Sequence, residues 1–528
     1  MSEATARADA PPDFPRRIGE LARRGAGRFG AAPALIEAGR TLDYRELGRA
    51  VDDAANALRE LGVGPGDRAL IVNENCAAAL VLALAATLRD AWAVLVNARL
   101  SQRELDAIRA HCAPRRAFFT TEVSAEAGAH AAQLGAVRSS LPGAGVVAVG
   151  PPDETAVPEP LHDDPSRQVA ALLYTSGTTG APKGVMLSHG NLLFAARSSA
   201  NLRRLAPGDH VYGALPISHV FGFASVGLSA LLAGAALHLV PRYTAERLAT
   251  ALAEGDISIV PGVPAMYARL LDHTRRTGRA IAAPKLRFLY SGGAPLDAQL
   301  KADVEALFKQ PLHNGYGLTE TSPSLASTRL DAPRADLSIG PPVPGIEVRI
   351  VDAAGRAVPP GEVGELHVRG PNVMVGYYRS PELTSEVLST DGWFNTGDLA
   401  RWDGEGNLFI AGRSKDLIIR SGFNVYPVEV ESVLNEHPAV SQSAVVGRAV
   451  AGNEEVVAFV ELRAGATATP EGLREFAAAR LAPYKRPVEI VVLAALPATA
   501  TGKILKSALR ELAREPRISH GSPRIVTD

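Results

Sequence analysis

The sequence has 528 residues, 46% of them hydrophobic and 21% charged, an ordinary composition for a globular protein that is too long for one hydrophobic core. Basic and acidic side chains nearly balance, 55 against 56, for a formal net charge of -1, so charge gives no case for nucleic-acid or anionic-membrane partners. Its two cysteines, Cys76 and Cys112, exclude a disulfide framework and a thiolate metal site, and we expect a reducing cytoplasm.

The N-terminal stretch MSEATARADAPPDFPRR is polar and interrupted by prolines, and it lacks the apolar centre of a secretory signal. It predicts a short disordered arm. The longest apolar runs, CAAALVLALAATL at 76–88 and VGLSALLAGAALHLV at 226–240, are shorter than the ~20 residues that span a bilayer. Both predict buried core helices, and we expect no integral membrane segment.

From about 34 to 300, strand-like runs such as RALIVN, WAVLVN and LRFLYS alternate with helical patterns such as TLDYRELGRAVDDAANALRELGV. This alternation predicts an α/β fold of doubly wound sheets, built from parallel βαβ units with helices on both faces. In such sheets ligands bind beyond the carboxyl ends of the strands.

The stretch LLYTSGTTGAPKGVMLSH at 172–189 follows one of these strands. Its glycines free backbone N–H groups to face an anion, its hydroxyls add donors and Lys183 adds a positive charge. It predicts a polyphosphate loop, although the G-x-x-x-x-G-K-[ST] spacing of a Walker loop is absent. The alternative is a flexible solvent loop with a stray lysine.

A second cluster, NGYGLTETSP at 314–323, places Tyr316, Thr319 and Glu320 close together. These side chains could stack on a base, bind a phosphate oxygen and hold a divalent cation, respectively. The alternative is a helix start, with Thr319 as the cap and Glu320 in the first turn.

Between 340 and 411 the pattern changes to strands with frequent turns, which predicts an added β subdomain. Within it, GWFNTGDLARW carries Asp398 after a glycine, a placement that suits the two hydroxyls of a ribose. The alternative is a turn aspartate that caps its own backbone.

After residue 415 the pattern restarts as a compact α+β unit that runs to residue 528. Near its end, PATATGKILK places Lys503 in a glycine turn before the final helix. By itself such a lysine is an exposed surface residue.

The sequence thus has four candidate elements: the loop at 172–189, the cluster at 314–323, the Asp398 segment and the Lys503 turn. In this order and at these intervals they closely resemble the adenylate-forming superfamily of acyl-CoA synthetases, peptide-synthetase adenylation domains and beetle luciferases. Further matches are LPISHVFG at 215–222, SGGAPL at 291–296 and GRSKDLIIRSGFNVYPVEVE at 412–431. The resemblance covers about 30 to 510 and is strongest to the fatty-acid and 4-coumarate–CoA-ligase-like branch. It implies a large N-terminal domain at 1–411, a hinge at 412–415 around Lys415, and a mobile C-terminal domain at 416–528.

The resemblance also implies a role for each matching residue. Lys503 would bridge the carboxylate substrate and the α-phosphate during adenylation, Thr319 would bind that phosphate, and Glu320 would bind Mg²⁺. His219 resembles the residue at the acyl-carboxylate and thioester gate, with a core histidine as the alternative. The implied ATP-binding residues are Thr175, Ser176, Gly177, Thr178, Thr179, Gly180 and Lys183 for the β- and γ-phosphates, Gly292, Gly293, Ala294 and Tyr316 at the adenine, Asn314, Gly315 and Gly317 beside them, and Asp398 and Arg413 at the ribose.

Ser421, Gly422 and Phe423 would line the pantetheine tunnel after the small domain turns. Many relatives carry arginine at the position of Lys506. This difference leaves the implied role of Lys503 unaffected. With 25 residues after Lys503 there is no room for a carrier domain, so we expect free coenzyme A as the acceptor.

No acidic residue occurs from Pro216 to Thr244, where amino-acid-adenylating relatives place an aspartate. This segment argues against an amino acid and for a fatty or aryl acid, although a buried core helix would look the same. Malonate-like diacids are disfavoured because the apolar part of this segment offers no clear partner for a second carboxylate.

We therefore expect an ATP-dependent carboxylate–CoA ligase that uses Mg²⁺. A stand-alone ligase that loads a carrier protein and a nucleotide-binding scaffold that has lost catalysis remain alternatives, and a homodimer is left open.

Overall fold

The computed structural model describes residues 14–176, 182–450, 453–463, 465–498 and 504–514. Within these ranges, two sheets of eight strands each make up most of the molecule. In the first sheet the central strands run parallel and the two edge pairs are antiparallel. Its strands, in order across the sheet, are Ser324–Ser327, Leu312–Gly317, Phe288–Ser291, Ile259–Gly262, His210–Gly213, Ala236–Leu239, Pro33–Glu37 and Arg40–Asp43.

The second sheet has a parallel centre of four strands among the described residues, with antiparallel strands on both sides. The runs RALIVN and WAVLVN form its central pair in full, as the sequence predicts. The order across the sheet is Gly376–Tyr377, Pro182–Ser188, Val169–Ser176, Trp92–Asn97, Arg68–Asn73, Arg116–Phe119, Gly145–Val149 and Val137–Leu141.

The predicted β subdomain is an antiparallel sheet of strands Glu347–Val351, Gly364–Arg369, Phe394–Trp402 and Leu408–Arg413. After it come a hairpin, Ile418–Arg420 with Phe423–Val425, and a separate sheet of strands Val440–Val450, Asn453–Leu462 and Glu489–Leu493.

The helices begin where the sequence supplies caps. The Asp43 and Ser101 side chains each accept a hydrogen bond from the backbone N–H three residues on. The Glu46 and Glu104 carboxylates in turn accept one from the backbone N–H of Asp43 and Ser101, so that donors at the helix start are satisfied. The α-helices are Glu20–Phe29, Tyr44–Glu60, Ala77–Leu88, Gln102–Cys112, Ala125–Gln133, His189–Leu202, Ser229–Ala233, Ala245–Glu254, Pro264–Thr277, Ala298–Phe308, Pro381–Val387, Pro427–Asn435, Pro470–Ala478 and Lys506–Arg514. Short 3₁₀ turns lie at Pro165–Arg167, Thr319–Thr321, Ser414–Asp416 and Pro483–Lys485, and a π-helix at Phe221–Leu228.

The two long apolar runs differ in outcome. The first forms the buried helix Ala77–Leu88, as predicted. The second is not one helix: it includes the end of the π-helix and the helix Ser229–Ala233, turns at Gly234 with φ +81°, and continues as the strand Ala236–Leu239. A left-handed glycine ends the helix at low cost, and hydropathy alone cannot distinguish a buried strand from a buried helix. Among the helices of the described ranges, none is both long and apolar enough to traverse a bilayer.

Buried apolar side chains form separate clusters before and after residue 417. One large cluster draws its members from Ile18 to Leu408. The region after residue 417 has two clusters of its own, on the two faces of its sheet, whose members run from Ile418 to Ala513. The C-terminal region therefore has a hydrophobic core separate from that of the rest.

An ion cluster ties the two large sheets together. The Glu74 side chain is 1% exposed and follows a strand of the second sheet. It accepts hydrogen bonds from Arg99 Nε at 3.0 Å and from Arg242 Nε at 3.1 Å. Arg99 follows a strand of the second sheet and Arg242 follows one of the first, so Glu74 neutralises a cation from each.

Substituting Glu74→Gln is expected to lower the free energy of unfolding by about 3 kcal/mol, because it leaves two arginines near a buried site without their shared carboxylate. The urea midpoint measures the loss. The matched control is Glu122→Gln, which removes an exposed pair with Arg138 and should cost less than about 1 kcal/mol. Equal midpoints for the two variants would contradict a structural role for Glu74.

Candidate active site

The glycine segments that the sequence singles out meet at the carboxyl edge of the first sheet. Ser291 and Asn314 are register partners on neighbouring parallel strands, which places Gly292 beside Gly315. A Cβ on Gly315 would lie 1.9 Å from the Tyr290 hydroxyl oxygen, so only glycine fits there. Gly293 has φ +80°, a conformation that other residues rarely adopt. The backbone here leaves an open, close-approach surface at the end of the strands, with Ala294 next to Gly293 and Gly317 at the end of the strand from Leu312.

Tyr316, Asp398 and Arg413 come together although they are far apart in the sequence. Asp398 and Arg413 are register partners on adjacent strands of the β subdomain, and Arg413 Nε lies 3.1 Å from Asp398 Oδ1. The Tyr316 hydroxyl donates to Asp398 Oδ2. Burial, and then the charge of Asp398, raise the pKa of Tyr316 well above its ordinary value, so the hydroxyl keeps its proton and remains a donor. The Asp398 carboxylate contacts the Tyr316 hydroxyl and the Arg413 guanidinium, which come from two other segments. An aspartate that only capped its own turn would not make these contacts.

Lys183 and Glu320 both lie against Tyr377. The Tyr377 hydroxyl donates to Glu320 Oε1 at 2.8 Å, and Lys183 Nζ lies 5.4 Å from the centroid of the Tyr377 ring. Tyr377 is 7% exposed, and burial followed by the Glu320 charge raises the pKa of its hydroxyl. Lys183 comes from the second sheet and Glu320 follows the first, so this cluster lies where the two sheets meet.

Thr319 begins a 3₁₀ turn, Thr319–Thr321, and is 7% exposed. The helix start that the sequence left open is therefore a single turn, and its N-cap is Leu318 rather than Thr319. Glu320 is partly exposed, with one carboxylate oxygen held by Tyr377. One positioned carboxylate beside phosphate oxygens is the kind of site that Mg²⁺ takes.

His219 lies just before the π-helix and is exposed, which contradicts the core-histidine alternative. Its Nδ1 accepts a hydrogen bond from the backbone N–H of Phe221 at 3.2 Å. The Phe221 ring lies 5.8 Å from the Tyr290 ring, beside the glycine segment. His219 is thus two residues before Phe221, whose side chain borders Gly292.

Lys415 lies between anchors on different parts of the chain. On one side Arg413 pairs with Asp398, and the Ser414 hydroxyl donates to the Gly397 carbonyl at 3.0 Å. On the other side Asp416 pairs with Arg510 of the last described helix.

Ser421, Gly422 and Phe423 form the tip of the hairpin after the hinge segment. Ser421 and Gly422 have φ of +52° and +80°, as a tight hairpin turn requires. Phe423 is 55% exposed and stacks on Tyr484 with ring centroids 4.7 Å apart. Among the described residues, no contact joins this tip to the groups around Asp398 or Glu320.

Thr175 pairs with Lys183 across the hairpin that carries the predicted phosphate loop. Other predicted residues lie outside the described ranges, or have side chains that do. These are Ser176, whose backbone alone is described, and Gly177, Thr178, Thr179, Gly180 and Lys503.

Sequence reasoning missed Tyr377 and Tyr290. Tyr377 lies in VMVGYYRS, a short stretch with no charged residue before Arg379 to mark it. Tyr290, whose hydroxyl borders Gly315, lies in the strand-like run LRFLYS. Nothing in their local patterns signals a site, because their contacts come from distant segments.

The AMP-binding enzyme family matches residues 22–378, and the AMP-binding enzyme C-terminal domain matches residues 429–503. A feruloyl-CoA synthase of Amycolatopsis is 37% identical over 484 residues, which cover 91% of this chain and 95% of that protein. An indoleacetate–CoA ligase of Aromatoleum aromaticum is 34% identical, with 94% of this chain and 98% of that protein covered. The crystal structure of ATP-bound MatB from Rhodopseudomonas palustris aligns with a TM-score of 0.83 at 32% identity, covering 94% of this chain and 99% of that one.

Proposed function

The chain belongs to the AMP-binding enzyme family, and we propose that it joins an aryl or fatty carboxylic acid to coenzyme A through an acyl-adenylate. It is an ATP-dependent acid–thiol ligase that releases pyrophosphate in its first step. The observation that carries the proposal for the site is the position of two clusters. Tyr316 belongs to a ribose-type cluster with Asp398 and Arg413, and Glu320, four residues on, belongs to a cation cluster with Lys183.

In the first step an oxygen of the carboxylate attacks the α-phosphorus, the bond to the bridging oxygen of the β-phosphate breaks, and pyrophosphate leaves with the electron pair. Negative charge develops on the phosphoryl oxygens, so aimed donors and cations lower the barrier. We assign this work to Thr319, Lys183 and Lys503. Asp398 and Arg413 hold the ribose, with Gly292 to Ala294 and Tyr316 at the adenine, and fix the α-phosphorus in line with the acid.

Glu320 is the proposed protein ligand of Mg²⁺, which when bound offsets the charge of the triphosphate. Glu320 enters that role with one oxygen already held by Tyr377, while Lys183 lies over the same ring. Tyr377 therefore positions both charged groups without itself touching substrate.

Substituting Tyr377→Phe is expected to raise the Mg²⁺ concentration for half-maximal pyrophosphate release about fivefold, because one hydrogen bond that orients Glu320 is lost. The ring beneath Lys183 is kept, so the change tests the hydroxyl alone. The matched control is Tyr378→Phe, whose hydroxyl donates to Glu159 instead. An unchanged Mg²⁺ dependence in the first variant, or an equal shift in the control, would contradict the positioning role.

In the second step the thiol of coenzyme A loses its proton to solvent and its sulfur attacks the acyl carbonyl carbon. The bond to the adenylate oxygen breaks, and AMP leaves with the electron pair. We propose that the domain boundary lies at residues 412–415 and that Lys415 is the hinge. Two features support this boundary: the C-terminal region has its own core, and the residues flanking Lys415 are anchored to different parts of the chain. After the turn, Ser421, Gly422 and Phe423 would line the path of the pantetheine arm, and His219 would lie at the carboxylate.

An apolar acid is the proposed substrate class. Phe221 and Phe223 are buried in the π-helix beside the glycine segment, and the segment from Pro216 to Thr244 has no acidic side chain. Two relatives, feruloyl-CoA synthase and indoleacetate–CoA ligase, are named for aryl acids, and these names favour an aryl acid as the substrate.

Cys76 and Cys112 are buried free thiols, which fits the cytoplasm we predict.

The test is thioester formation with ATP, Mg²⁺ and coenzyme A across cinnamic, benzoic, indoleacetic and straight-chain acids. We expect pyrophosphate and the CoA thioester in equal amounts with at least one class. Pyrophosphate without thioester would favour transfer to a carrier protein, and neither product with any acid would favour a scaffold. Sedimentation of the same preparation determines whether the chain forms a homodimer.

A further inference from the structure

Asn75 makes three hydrogen bonds from the second sheet to one short segment of the first. It follows the strand Arg68–Asn73 of the second sheet and is 2% exposed. Its Nδ2 donates to the carbonyl oxygens of Gly213 at 2.9 Å and Leu215 at 2.8 Å. Its Oδ1 accepts from the backbone N–H of Ile217 at 2.8 Å. Both the nitrogen and the oxygen of the amide are thus engaged, which fixes the orientation of the side chain.

The segment 213–217 leads directly to His219. It begins at the carboxyl end of the strand His210–Gly213 of the first sheet. The backbone N–H of His219 donates to the Pro216 carbonyl at 3.0 Å, so the histidine closes a turn on this segment. Gly222 packs against the same turn, since a Cβ there would lie 2.2 Å from the Pro216 carbonyl oxygen. A displacement of the segment therefore displaces His219 and the start of the π-helix.

Two neighbours of Asn75 also reach the first sheet, but at the ends of other strands. The Glu74 carboxylate pairs with Arg242, and the backbone N–H of Ala77 donates to Glu37 Oε2 at 2.9 Å. These strand ends lead to none of the proposed site residues. Contacts between the sheets therefore exist on both sides of Asn75, and the feature particular to Asn75 is the segment that it holds.

We propose that Asn75 is a positioning residue for the acid site: it fixes the segment 213–217 and thereby places His219 at the carboxylate of the acid. The inference rests on the proposed function and adds a residue that acts through His219 without touching substrate. Asparagine suits the role because its one amide supplies two donors and an acceptor. An ionised aspartate has no donor, and an aliphatic side chain would remove a partner from three buried backbone groups.

In the competing explanation, the three hydrogen bonds only stabilise the fold. A loss of stability alone leaves the folded molecules with normal kinetic constants, and it is the same whether or not His219 is present. A positioning role instead lowers the use of the acid, and its effect disappears once His219 is removed, because two residues that act as one unit are not additive.

The two substrates should also respond differently. The glycine segments proposed for ATP follow the strands Phe288–Ser291 and Leu312–Gly317, and one further strand separates these from His210–Gly213. Loss of the Asn75 amide should therefore affect the acid more than ATP.

The experiment is a double-mutant cycle of Asn75→Ser and His219→Ala. Pyrophosphate release is measured with the most active of the cinnamic, benzoic, indoleacetic and straight-chain acids. We expect Asn75→Ser to lower kcat/KM for the acid about tenfold in the otherwise intact chain, and less than about twofold in a chain that already carries His219→Ala. The KM for ATP should stay within about twofold. Asn75→Gln, which keeps an amide but displaces it by one methylene, takes its place in the cycle if Asn75→Ser does not fold.

The matched control is Asn73→Ser, two residues earlier in the chain. The Asn73 side chain is also buried, and its Nδ2 donates to the carbonyl oxygens of Ile71 at 2.8 Å and Val96 at 3.3 Å, both within the second sheet. The same substitution there should lower the urea midpoint but leave kcat/KM for the acid within about twofold.

Equal losses from Asn75→Ser with and without His219 would overturn the inference and favour the structural role, while the ligase function stands. An unchanged kcat/KM in Asn75→Ser, an equal loss in Asn73→Ser, or full activity in His219→Ala would contradict it as well. No pyrophosphate with any acid in the wild type would overturn the proposed function, and the inference with it.

Discussion

Replacing Lys503 by alanine is expected to slow formation of the acyl-adenylate by about 10²–10³-fold, the usual cost of removing one group aimed at developing charge. The proposed role of Lys503 is confined to the first step, since the proposed hinge would turn its segment away before coenzyme A attacks. Thioester formation from a synthetic acyl-adenylate should therefore keep most of its wild-type rate. Pyrophosphate release measures the first step, and single-turnover transfer from the synthetic adenylate measures the second.

The matched control for this variant is Lys506→Ala, three residues on. Its ammonium pairs with Glu431 at 2.7 Å within the C-terminal region, so its charge already has a partner. We expect at most a severalfold change in either step. Equal losses in both steps for Lys503→Ala would mean that the substitution disturbs the fold or the whole domain, rather than the transition state of adenylation.

Substituting Asp398→Asn is expected to raise the KM for ATP by about 10–100-fold. Hydrogen bonds that involve a charged group contribute about 1.5–3 kcal/mol, and 1.4 kcal/mol is a factor of ten. The variant keeps the shape of the side chain but removes the charge that balances Arg413, so the proposed ribose site loses both an acceptor and the partner that orients the arginine. Initial rates at varied ATP, with saturating acid and coenzyme A, give the KM.

The control is Asp403→Asn, on the turn that joins the strands of Asp398 and Arg413. The Asp403 carboxylate accepts from backbone N–H groups of its own turn and lies 3.4 Å from Arg334. It should change stability slightly and leave the KM for ATP within about twofold. If Asp398→Asn left that KM unchanged, the assignment of the ribose to this cluster would be wrong.

Local structure was largely predictable from the sequence, because periodicity and turn residues act over short distances. The runs RALIVN and WAVLVN became strands with the predicted bounds. The run at 226–240 was misassigned because its hydropathy does not reveal that Gly234 ends a helix and that a buried strand follows.

Contacts between distant segments were not predictable in the same way. Arg203 and Arg204 are adjacent and chemically identical, yet the first is buried against Ser225 and the second is exposed and pairs with Asp331. Arg203 reaches the segment 216–244 from another helix, a contact that the pattern of that segment does not show. Tyr377 likewise meets Glu320 and Lys183 through the packing of separate strands.

The position of Arg413 has a thermodynamic consequence. In the proposed arrangement the group that holds the ribose is two residues from Lys415, at the end of the strand Leu408–Arg413, and the 3₁₀ turn that carries Lys415 follows that strand directly. An orientation of the small domain that shifts this strand end must weaken nucleotide binding. By reciprocity, bound nucleotide must disfavour that orientation by the same coupling free energy. The exchange of ATP for AMP would then act directly on the domain equilibrium, and the order of the two half-reactions would follow from the nucleotide present.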